Sequence, residues 1–114
     1  MMPPRPAPRI RASDGAEQGG GGPLRRPPLF ELGQTFITAN ARMELHPEDI
    51  QKALSRHHAG DWGEVNPEDW LANQNALVDG LRLLSVYHDR DRVKFYIITE
   101  ADRSITTVML PEDY

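Results

Sequence analysis

Between Arg82 and Thr107 the chain carries arginine, glutamate, serine, tyrosine and threonine on stretches that alternate like β-strands, and side chains of these types can act on a phosphodiester. Arg82, Ser85 and Tyr87 fall on the first stretch, Thr99 and Glu100 end the second, and Arg103, Thr106 and Thr107 open the third. Adjacent antiparallel strands hold facing side chains about 5 Å apart, so these groups are within reach of one another. Arg82 and Arg103 would supply fixed positive charge for a phosphate. Glu100 or His57 would serve as the general base, since burial and neighbouring charge tune both residue types toward neutral pKa. That is the outline of a metal-independent ribonuclease. It requires Arg82 and Arg103 on one side of the sheet, away from the helices, with His57 near the edge. The competing reading is structural: Glu100 or Asp102 pairs with Arg103 at the surface, and the threonines serve β propensity.

Two further features attract attention. His57 and His58 are adjacent near the end of an expected helix, where successive residues point about 100° apart, so only one can face a given site. A histidine there is also favoured by the helix dipole without any function. Asp61 and Trp62 sit between Gly60 and Gly63. A tryptophan in so short a turn either caps the core or binds something, and Asp61 suits a bond to the turn's own backbone. No glycine-rich phosphate loop, Ser-His-Asp order or metal-ligand spacing is visible, so no cofactor and no metal are expected.

The elements that must position these residues follow from pattern. Gln34–Thr38 is β-prone behind the breaker Gly33. Pro47-Glu48-Asp49 starts a helix, with Ile50, Ala53 and Leu54 as its stripe and Gly60 as its left-handed cap. Asn66-Pro67 starts a second helix, running to Asp79 and Gly80, whose buried side is expected to carry Trp70, Asn73, Gln74, Leu77 and Leu81. From Leu81 the period becomes two, with a polar turn at Asp89–Arg92, a strand at Val93–Glu100, a turn at Ala101–Arg103 and a strand at Ser104–Leu110. The expected fold is therefore α+β, in the order β-α-α-β-β-β, with two helices packed on one face of a small antiparallel sheet.

Residues 29–114 form the expected single domain. Residues 1–28 hold seven of the ten prolines, five of the nine glycines and five arginines, a composition expected to remain a disordered leader. The leader sums to +3 and the domain to −7, which gives the net charge of −4. An acidic domain disfavours nucleic acid unless its cations cluster. With no cysteine, no apolar run long enough to span a bilayer and no signal sequence, a cytoplasmic protein without membrane attachment is expected.

Leu29–Gln34, Arg56-His57, Gly60–Gly63, Arg82–Tyr87, Ile98–Ser104 and Leu110–Tyr114 together resemble a family of short, uncharacterised bacterial proteins often labelled plasmid-related. That resemblance covers the whole domain and implies a fold more than an activity. At the level of topology alone, the element order also resembles the RelE/BrnT-type toxin ribonucleases. Carried onto this chain, that likeness implies site roles for His57, Arg82, Ser85, Thr99, Thr106 and Tyr114. Two functions stay open at this point. One is a ribonuclease-like protein acting on RNA. The other is a non-catalytic interaction or anti-defence protein of a mobile element, working through an acidic surface on a protein partner. A homodimer is compatible with either.

Overall fold

The structure, a computed structural model, describes residues 27–114. All of the expected leader except its last two residues lies outside that range. The elements run β1 (Gln34–Ile37), α1 (Ala39–Glu44), α2 (Pro47–His58), α3 (Pro67–Asp79), β2 (Leu83–His88), β3 (Lys94–Thr99), β4 (Ile105–Met109) and a closing 3-10 turn (Pro111–Asp113). The class is α+β, as expected. Among the described residues, no helix is long and apolar enough to cross a membrane.

The four strands form one sheet in the order β1-β4-β3-β2. The β2-β3-β4 meander is antiparallel, with Leu83 opposite Thr99 and Thr99 opposite Thr106. The first strand departs from a purely antiparallel sheet, because β1 pairs with β4 in parallel, placing Gln34 beside Ile105 and Ile37 beside Val108. Gly33 permits that contact. Its φ is +66°, and an added Cβ would lie 2.2 Å from the Ser104 carbonyl oxygen. Only glycine fits so close an approach in that conformation.

Helix α2 follows its apolar stripe. Ile50, Ala53, Leu54 and His57 are its buried residues, spaced i, i+3, i+4, i+7, and the first three pack with Tyr87, Phe95, Ile97 and Val108 of the sheet. The short helix α1 was not expected. Thr38 caps it by accepting from the Ala41 N–H at 3.1 Å, and Ala41 and Leu45 join the same core.

Helix α3 has the expected limits, with the Asn66 side chain capping its start and Gly80 closing it at φ +69°. Its buried side differs from expectation. Only Asn73 and Ala76 are fully buried, while Trp70 and Leu81 are about half exposed, at 49% and 54%. The reason is that α3 lies against the edge of β2. The Asn73 amide donates to the Leu84 carbonyl at 2.7 Å and accepts from the Leu84 N–H at 3.1 Å, as a neighbouring strand would. Two residues further along the strand, Val86 donates to the Trp62 carbonyl and accepts from the Glu64 N–H. The β2 edge is thus closed against further strand pairing.

Candidate functional site

The strand alternation divides the expected site residues between the two faces of the sheet. Ser85, Thr99 and Thr106 face the helices, and His57 descends from α2 to meet them. All four are fully buried. Nδ1 of His57 lies 2.6 Å from the Ser85 hydroxyl, and Nε2 lies 2.8 Å from the Thr99 hydroxyl. The Thr99 and Thr106 hydroxyls are 2.7 Å apart, and Thr106 donates to the Leu32 carbonyl at 2.7 Å.

The proton positions along this chain of hydrogen bonds are determined by its end. The Leu32 carbonyl can only accept, so the single Thr106 proton points there. Thr99 must then donate to Thr106 and accept from Nε2–H of His57. The imidazole therefore carries its proton on Nε2, and its Nδ1 accepts from the Ser85 hydroxyl. Burial, reinforced by the charges of His58 and Arg103, holds the His57 pKa down to about 3, so the ring is neutral at physiological pH. Phe30 and Trp62 wall it in edge-on, with ring centroids at 5.2 and 5.6 Å.

A serine hydroxyl donating to an imidazole nitrogen is also how a serine nucleophile is activated. Here neither partner has exposed surface, and the far side of the ring is bonded to threonine rather than to a carboxylate. His57 was expected near the sheet edge as a base. Instead it is a closed interior link that ties α2 to β2 and β3. Its adjacent residue, His58, is only partly buried, as the 100° offset requires.

Arg82, Glu100 and Tyr114 gather on the opposite, open face. The Arg82 Nε is 3.7 Å from Glu100, and its Nη1 donates to the Tyr114 hydroxyl at 3.3 Å. Its guanidinium also stands 5.7 Å from the centre of the Tyr114 ring, which meets Tyr96 edge-on. Both members of the Arg82–Glu100 pair are about half exposed, so the pair contributes little to stability.

Arg103 does not share that face. Its guanidinium donates to the carbonyls of Leu81 (2.5 Å), Glu100 (3.2 Å) and Ala76 (3.0 Å), and it stands over the Phe30 ring. It closes the end of α3 and the turn into β2, and it holds its own backbone at φ +62°. The shared phosphate cleft of Arg82 and Arg103 is therefore not formed. Replacing Arg103 with alanine should lower stability by about 1–2 kcal/mol, since the carbonyls that lose a charged donor are only partly shielded from water. Chemical denaturation of the variant measures this directly, and a change below about 0.5 kcal/mol would contradict the clamp.

Asp61 and Trp62 act as the turn requires. The Asp61 carboxylate pairs with Arg56 at 2.8 Å and accepts from the Gly63 N–H at 3.1 Å, while the Asp61 carbonyl accepts from the Tyr87 hydroxyl at 2.6 Å. Trp62 is 1% exposed, stacks on Phe30 and donates its indole N–H to Gln74 at 2.8 Å. Gly63 makes the turn feasible, since a Cβ there would lie 2.0 Å from the Val86 carbonyl oxygen.

A separate group, His46, Asp89 and Asp91, brings potential ligand atoms within 4.8 Å of one another. Asp89 is already committed to the N–H groups of Asp91 and Val93, and His46 pairs with Asp91 at 2.8 Å. These bonds close the β2–β3 hairpin. Beside it, Arg90 reaches Glu48 and Asp49 in the first turn of α2, and Arg90 holds the Asp49 carboxyl down to about 2.

Sequence reasoning assigned no site role to Phe30 or Tyr96, and it placed Asn73 on the buried side of its helix without naming the strand edge that it pairs with. A polar residue on the buried side of a helix must find a hydrogen-bonding partner, which was the available signal for that pairing. Compared with known proteins, the chain matches no family model, no curated protein and no solved structure.

Proposed function

We propose that this domain is a non-catalytic interaction module that engages a protein partner through an acidic surface. The observation that carries this reading is the division of the reactive side chains. His57, Ser85, Thr99 and Thr106 are enclosed beneath α2, and Arg103 is committed to backbone carbonyls. Arg82, Glu100 and Tyr114 do reach solvent, but Arg82 is bonded to both of the others. A phosphoryl-transfer site needs its base and its positive charge convergent on one accessible point, and these residues do not converge. The domain charge of −7 argues the same way. A cytoplasmic accessory or anti-defence role for a mobile element is compatible with such a module.

The ribonuclease reading retains one favourable observation, the exposed Arg82–Glu100–Tyr114 group beside Tyr96. A single assay separates the two. The full chain incubated with a mixed single-stranded RNA substrate is expected to leave it intact over hours. Cleavage that disappears in an Arg82→Ala variant of unchanged fold would overturn the module in favour of the enzyme.

A further inference from the structure

The helix α3 presents an apolar strip that the fold leaves uncovered. Trp70, Leu71 and Val78 are 49%, 55% and 60% exposed. At about 100° per residue they span an arc of roughly 100°, continued toward the core by the partly buried Leu77. Just past the end of the helix, Leu81 adds another half-exposed side chain. Glu68 and Asp79 follow Leu71 within about the next 80° of the same helix. The segment Pro67–Asp79 contains no lysine, arginine or histidine. Among the described residues, no ion pair engages Glu68, Asp69 or Asp79. Of the arginines beside its C-terminal end, Arg82 is turned to Glu100 and Arg103 to backbone carbonyls.

From this pairing of an apolar strip with an uncompensated acidic border, we infer that α3 is the docking helix of the module and that its partner is a cationic amphipathic helix. The inference rests on the interaction-module reading and names its partner class. An amphipathic helix laid along α3 would bury Trp70, Leu71 and Val78 under its own apolar residues. Lysines or arginines on its flank would then meet Glu68 and Asp79, and aromatic anchors such as Trp70 commonly dominate such contacts. A second copy of this chain is the poorer occupant. An antiparallel α3–α3 pair brings Glu68 of one copy toward Asp79 of the other, like charge against like, with no cation on either helix to offset it.

The test uses the full chain and a fluorescein-labelled synthetic helix of about 14 residues made of leucine and lysine in an amphipathic pattern, with a leucine/glutamate peptide of the same pattern as control. Fluorescence anisotropy should show the leucine/lysine peptide binding at least about ten-fold more tightly than the control. Leu71→Gln combined with Val78→Gln leaves the charge unchanged and should weaken binding by about ten-fold. Glu68→Gln combined with Asp79→Asn should weaken it by several-fold and flatten its salt dependence. Circular dichroism verifies the fold of each variant. Should either variant misfold, the emission of Trp70 in the Trp62→Phe protein provides a second reading, a shift to shorter wavelength on titration with unlabelled peptide. Binding that is indifferent to Leu71 and Val78, or absent with no emission shift, overturns the inference. So does a sedimenting dimer that the Leu71→Gln/Val78→Gln pair dissolves, since the strip would then belong to a second copy. These outcomes leave the module reading in place, whereas Arg82-dependent RNA cleavage removes it.

Discussion

Between pH 7 and pH 5 the unfolding free energy should fall by about 2 kcal/mol on account of His57 alone. In the unfolded chain this imidazole titrates near its ordinary value of 6.5, whereas burial holds it at about 3 in the fold. Across that interval the unfolded state binds the proton and the folded state does not, so acid favours unfolding. The contribution is fully present above pH 6.5 and is lost as the pH descends toward 3, amounting to roughly 4–5 kcal/mol in total. The carboxylates held low in the fold, Asp49 and Asp113 among them, act in the same direction but only at lower pH, where carboxylates protonate. Urea titrations at half-unit steps, repeated on His57→Gln, isolate the effect. The variant should be less stable at pH 7, and its stability should change much less between pH 7 and 5. An unchanged slope would mean that His57 is not the titrating group.

Trp62→Ala should cost about 3–5 kcal/mol, a large part of the stability of a domain this small. The indole is enclosed by Phe30, His57 and Gln74, and it joins Ala76 and Leu83 in the second hydrophobic cluster. Removing it opens a cavity between that cluster and the buried hydroxyl chain, and also leaves the Gln74 carbonyl oxygen without its donor. Trp70→Ala should cost well under half as much, because that ring is half in water. Thermal and urea unfolding of the two variants give the comparison. If Trp62→Ala is as stable as the parent yet loses partner binding, the indole belongs to a site and not to the core.

Local punctuation made most of the fold legible in the sequence. Asn66-Pro67 and Gly80 bound α3 at the residues where the helix starts and stops, because a side-chain cap and a left-handed glycine are backbone requirements that do not depend on tertiary context. The period of two also placed Arg82 away from the helices, although the expected site groups it there with Ser85, which the same alternation turns inward. What could not be read was which partner each edge would find. The parallel pairing of β1 with β4 and the lateral seat of α3 both depend on contacts far apart in sequence. For that reason Trp70 and Leu81 were assigned to a core that does not receive them. The helix α1 was missed because six residues carry too little periodicity, although Thr38 followed by Ala39–Glu44 holds both a cap and good helix formers. Of the candidate site, the meeting of His57, Ser85, Thr99 and Thr106 came from topology. Their complete burial did not, since residue types that serve catalysis when wet serve equally well as an interior hydrogen-bonded tie.

The parallel seam between β1 and β4 has a consequence for the order of folding. Gln34 finds Ile105, and Thr38 and Asn40 bind Asp113, across more than seventy residues of intervening chain. The meander and its two longer helices need only local and medium-range closures, so they can assemble first. During synthesis β1 leaves the ribosome early and must wait, unpaired, until β4 has emerged. Over that interval the nascent chain displays a loose β-prone segment with Phe36 near its middle. A chaperone that masks short extended apolar segments would act on this protein in that window.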